Sequence, residues 1–97
     1  MILVRNVFRL KFGKAREAKA ALNKMREISD KLGFKRGRLI SDLVGPAYTL
    51  VLEIEMEDFS LMNKIGELFG NPEWQSAYRE FVPFAESGYR EIFTIEN

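Results

Sequence analysis

The stretch YTLVLEIEM, residues 48–56, decides how the rest of the chain is read. Tyr48, Leu50, Leu52, Ile54 and Met56 alternate with Thr49, Val51, Glu53 and Glu55, the period of a β-strand with one strongly apolar face. Gly45-Pro46 just before it is a turn signal, so RGRLISDLV, residues 36–44, reads as a strand joined to it in a hairpin. Residues 2–12 alternate in the same way, with Ile2, Val4, Phe8, Leu10 and Phe12 on one face and Arg5, Arg9 and Lys11 on the other. Between these strands the period changes. Ala15, Ala18, Leu22, Met25, Ile28 and Leu32 recur at spacings of three and four, one buried helical stripe that Gly33 closes at its C-terminal end.

On the C-terminal side, Glu57 or Asp58 caps a second helix, whose buried stripe is either Phe59, Met62, Ile65 and Phe69 or the adjacent Leu61 and Leu68. Gly70 ends it. Asn71 and Pro72 then supply a fresh cap and a first-turn proline for another short helix, which Pro83 stops. After Gly88, YREIFTIE forms the last strand. The expected fold is therefore α+β and ferredoxin-like, βαββαβ, with a four-stranded antiparallel sheet, helices on one face and the second helix broken near Gly70-Pro72.

Composition narrows what such a fold can do. The 97 residues make one domain, 1–97, with room for a single core. Fifteen Lys and Arg against fourteen Asp and Glu leave a formal charge of +1, so no overall basic field draws nucleic acid or an anionic membrane. No cysteine and no histidine are present, which removes thiolate and imidazole chemistry and the usual zinc and haem ligands. No metal site and no cofactor are expected. Arg5 and Asn6 interrupt the only apolar run at the amino terminus, so no signal peptide or membrane span is read and the expected compartment is cytoplasmic. An RNA-recognition sheet would show aromatic residues on the exposed face of its third strand, but here Glu53 and Glu55 stand there, so no nucleic-acid partner is expected.

In this topology the first and third strands are central neighbours, and the face away from the helices holds Arg5, Val7, Arg9, Thr49, Val51, Glu53 and Glu55. Two readings stand side by side. Bare in water, the face needs only its Arg–Glu pairs; alternatively it meets the same face of a second copy, so that two sheets close around a partly polar seam. The basic residues Lys31, Lys35, Arg36 and Arg38 are either a solvated loop or a rim that attracts an anionic ligand.

The run LKFGKAREAKAALNKM, residues 10–25, together with NPEWQSAYREFVPF, residues 71–84, before the last strand, resembles the dimeric α+β barrel superfamily, closest to NIPSNAP-like and antibiotic-biosynthesis-monooxygenase-like (ABM-like) domains. That resemblance implies a homodimer whose two sheets form a barrel, with a small-molecule cavity between each sheet and its helices. In monooxygenase-like members an asparagine on the first strand and a tryptophan on the second helical segment are functional, which points to Asn6 and Trp74 here, with Tyr78 one turn later able to offer a phenol to a ligand or to bond Asn6. Haem-degrading members ligate iron through a histidine, and this chain has none, so no haem site is implied. Each of the three residues also has a plain structural reading: Asn6 as a core amide, Trp74 as a packing aromatic, Tyr78 as a core ring with its hydroxyl outside. Phe81 and Phe84 are assigned to the core. Two functions follow from the resemblance: a binding protein for a small apolar or aromatic molecule, or a cofactor-independent oxygenase acting on an aromatic quinol.

Overall fold

The computed structural model describes residues 1–35 and 37–96, and for Leu61 the backbone alone. The element order is β1 (Ile2–Leu10), α1 (Ala15–Lys31), β2 (Arg38–Ser41), β3 (Thr49–Met56), α2 (Met62–Phe69), α3 (Pro72–Phe81) and β4 (Ala85–Thr94). The four strands form one antiparallel sheet in the order β2-β3-β1-β4, the ferredoxin-like arrangement that the alternation predicts. No described helix is long and apolar enough to cross a membrane.

Several boundaries move, each for a local reason. β1 ends at Leu10, and Phe12 lies beyond it, 86 % exposed, with its ring against Tyr48. Alternation alone carried Phe12 onto the apolar face, but Gly13, at φ +79°, already turns the chain toward α1. β2 covers only Arg38–Ser41, because the turn before β3 takes up Asp42 onward, with Thr49 N–H donating to the Asp42 carboxylate. Arg36, counted in that strand and in the basic rim, lies outside the described residues. β4 starts at Ala85, not Tyr89, and runs straight through Gly88.

The second helix breaks where its punctuation says. Asp58 caps a 3-10 turn, Phe59–Leu61, that leads into α2, and Asn71 Oδ1 accepts from Trp74 N–H at 3.0 Å to start α3 behind Pro72. Of the two candidate stripes on α2, Leu68 is buried and Phe59 is exposed; the side chain of Leu61 lies outside the described residues.

The break divides the helix layer. α1 packs along α3, and together with one end of the sheet they bury Leu10, Ala18, Leu22, Leu50, Ala77 and Phe81. Phe84 packs on the rim of this cluster, as expected, and Phe81 at its centre is 2 % exposed. At the other end a smaller cluster of Ile2, Val4 and Met56 lies under Met62 and Ile65 of α2. Between the two clusters the layer does not close.

Candidate functional site

That gap is a cavity of about 940 Å³ between the sheet and the helices. Its floor is the helix-facing side of the strands, including Val4, Asn6, Phe8, Leu52 and Ile54. Its walls come from α1 through Met25 and Arg26 and from α2 and α3 through Ile65, Phe69, Trp74 and Tyr78. All three residues singled out from the sequence, Asn6, Trp74 and Tyr78, line it.

The aromatic wall is organised by the helix break. Trp74 and Tyr78 are four apart on α3 and therefore stack, with ring centroids at 5.3 Å and planes 12° apart. Phe69, the last residue of α2, packs its ring against the same indole, with centroids at 4.8 Å and planes 36° apart. Gln75 Nε2 donates to the Phe69 carbonyl at 2.8 Å and holds the two helix ends together. Three aromatic rings thus stand in one row. Tyr78 remains 44 % exposed, more open than a core tyrosine.

The floor owes its shape to β4. Gly88 is paired opposite Phe8, and a Cβ there would come within 2.9 Å of the Phe8 ring. Glycine lets that ring lie over β4 and meet Phe81 edge-on, at 4.9 Å and 74°.

Asn6 does not bond Tyr78. Its register partners are Leu52 on β3 and Arg90 on β4, and its Oδ1 accepts a 2.7 Å hydrogen bond from Arg90 Nε. The amide that looks like a lone polar group on an apolar strand face is therefore half of a polar pair. Arg90, together with Arg26, Lys64 and Phe69 as lining residues, is what the sequence reading missed. The signal for Arg90 was its parity with Asn6 across the β1–β4 ladder, but YREIFTIE has apolar residues on both faces, so alternation does not say which face Arg90 takes.

The opposite side of the sheet holds Arg5, Val7, Arg9, Thr49, Val51, Glu53 and Glu55, all where the alternation puts them. The register aligns them in rows. Arg38, Glu53, Arg5 and Glu91 follow one another across the four strands, and Ile40, Val51, Val7 and Tyr89 form the next row. Glu53 sits between two guanidinium groups: Arg5 Nε donates to Oε2 at 2.9 Å, and Arg38 Nη2 donates to Oε1. Only 5 % of Glu53 is exposed, yet its cover is these two surface side chains and not the core. The hydrogen bond from Arg38 is the main reason its carboxylate lies below the ordinary value of 4.5; burial opposes it, and the hydrogen bond from Arg5 and the charges of both arginines add to the lowering. Arg5 also lies over the Phe93 ring at 5.4 Å. Tyr89, Phe93 and Ile40 leave large apolar surface open on this face.

Among the described residues no group of three or more carboxylate, histidine or cysteine side chains is placed to hold a metal ion. No protein-family model matches the chain, and no curated protein matches it in sequence. Solved structures do match in shape. An uncharacterised NIPSNAP domain protein from Burkholderia xenovorans superposes with a TM-score of 0.87 at 19 % identity, covering 99 % of this chain and 95 % of that one. An antibiotic biosynthesis monooxygenase gives 0.77 at 11 % identity over 100 % of both chains. A mutant of SnoaB, a cofactor-independent oxygenase from Streptomyces nogalater, gives 0.75 at 13 % identity over 99 % of this chain and 93 % of that one. The chain thus has the fold common to NIPSNAP and ABM-type proteins, the resemblance that its sequence carries.

Proposed function

We propose that residues 1–97 act as one domain of a homodimeric small-molecule-binding protein of NIPSNAP/ABM-like type, whose ligand occupies the cavity between sheet and helices. One observation carries this reading: Asn6 on β1 and Trp74 and Tyr78 on α3, elements far apart in the chain, all line a single largely apolar cavity large enough for a drug-sized molecule. The row of Phe69, Trp74 and Tyr78 favours a flat, apolar or aromatic ligand.

The dimer rests on the open side of the sheet. Its row of Ile40, Val51, Val7 and Tyr89 beside the alternating Arg38, Glu53, Arg5 and Glu91 suits a self-complementary two-fold contact, in which charges of one copy meet opposite charges of the other. A single species of monomer mass by sedimentation at micromolar concentration would sink this part of the proposal.

The likeness to an oxygenase that needs no cofactor, together with Asn6 and Trp74 facing one cavity, supports a second reading as a monooxygenase of aromatic quinols. In that reaction the quinol supplies the electrons, one oxygen atom enters its ring and the other leaves as water. The protein would exclude bulk water and place amide and phenol dipoles near the developing negative charge. Oxygen uptake with a naphthalene quinol decides between the two: turnover that falls in Asn6→Ala and Trp74→Phe supports the enzyme, and saturable binding without uptake supports the binder.

A further inference from the structure

Among the described residues, the cavity contains a cation that no carboxylate neutralises. Arg90 makes no ion pair among the described residues, whereas Arg5, Lys24, Lys35 and Arg38 each have a carboxylate partner. Its hydrogen bond to Asn6 uses Nε, the inner nitrogen. The guanidinium plane is therefore held by the amide while the two outer nitrogens, the pair that forms a fork on a two-oxygen anion, are left for another acceptor. Arg90 belongs to the outer strand β4, so this fork is at the solvent side of the cavity, and the aromatic row of Phe69, Trp74 and Tyr78 forms a separate wall of the same space.

The remaining charge has the same sense. Arg26, Lys35, Lys64 and Arg90 line the cavity, against Glu86 and against Glu55, which belongs to the open face of β3, borders the cavity and is already paired with Lys35 at 3.8 Å. An apolar space rimmed by excess positive charge attracts a molecule with an apolar body and an anionic head.

We infer that the ligand of this cavity is an amphipathic carboxylate: its flat apolar body lies against Phe69, Trp74 and Tyr78, and its carboxylate is gripped by the outer nitrogens of Arg90. Asn6 acts as the positioning residue that fixes the guanidinium and does not itself touch the carboxylate. The inference rests on the cavity being a ligand site, as proposed above, and adds the chemistry of the head group and the residue that selects it.

The test is a calorimetric titration with a matched pair of probes, naphthoate and naphthylmethanol substituted at the same ring position, which share a body and differ in charge. The wild-type protein is expected to prefer the acid by about tenfold at low salt, the scale of a charge-assisted hydrogen bond, with the preference shrinking as salt is added. In Arg90→Gln the preference falls to parity while the alcohol binds as before. Arg90→Lys, which keeps the charge and loses the fork, retains part of it. Trp74→Ala weakens both probes to the same degree. Equal affinity for acid and alcohol in the wild type, or an undiminished preference in Arg90→Gln, overturns the carboxylate inference and leaves the binding site standing. If neither probe binds, the cavity is not a site for such bodies and both readings fall together.

Discussion

The two sides of one sheet make an instructive contrast. Toward the helices, Val4, Leu10, Leu50 and Met56 are buried as the alternation demands, and the Asn6–Arg90 pair stands at the edge of an unfilled space. Away from the helices no described element covers the strands, yet Glu53 is nearly inaccessible because its arginine neighbours close over it. The helix-facing side gains its stability from area removed from water, and the proposed ligand site is the place where that removal is incomplete. The open side is ordered by charge, which gives direction and register; its exposed pairs contribute little as long as water reaches them, and Glu53, covered by its two arginines, is the exception.

The contrast can be broken at its strongest point first. Phe81→Ala removes the largest ring at the centre of the α1–α3 cluster and is expected to lower unfolding stability by about 3–5 kcal/mol in urea denaturation. A loss below 1 kcal/mol by the same measurement would mean that this cluster is as loosely packed as the opposite end.

On the open side, Glu53→Gln keeps the shape and removes the charge, leaving two arginines without their shared partner. It is expected to cost about 1–3 kcal/mol and to raise the dissociation constant of the proposed dimer as measured by sedimentation. The same residue sets an acid limit. Its carboxylate titrates lower in the folded chain than in the unfolded one, so its contribution is complete above the ordinary value of 4.5 and is lost as pH falls through the lowered folded value. Melting temperature against pH should therefore fall more steeply below that value in the wild type than in Glu53→Gln. Parallel curves would show that Glu53 is not linked to folding.

The smallest effect concerns the junction that makes the cavity. Asn71→Ala removes the side-chain acceptor for Trp74 N–H and is expected to cost about 1 kcal/mol by thermal melting. It should also loosen the aromatic row and broaden the emission of the sole tryptophan.

Much of this architecture is legible in the residues. Alternation in 48–56 and 2–10 assigns both sheet faces, and Gly70, Asn71 and Pro72 announce the helix break, because these signals are local and steric. Where a signal depends on pairing, legibility ends. The true start of β4 at Ala85 is hidden, since Glu86, Ser87 and Gly88 have no strand character of their own and are held by register against β1. For the same reason Asn6 reads as an isolated amide: its partner is 84 residues away and becomes visible only once β1 and β4 are aligned. The aromatic row is half legible. Trp74 and Tyr78 show helical spacing, but Phe69 reads as part of a buried stripe and turns out to be a wall of the cavity, because past the break α3 brings Trp74 against its ring.

The division of the helix layer also has a consequence in time. α2 is eight residues long with Leu68 as its one buried side chain, while α1 and α3 share a continuous packed seam. Its amides should therefore exchange with solvent through openings that cost far less than global unfolding, while those of α1 and α3 exchange only when the whole core opens. A molecule entering the proposed site would find its most yielding wall there, where one short helix can move without the fold breathing as a unit.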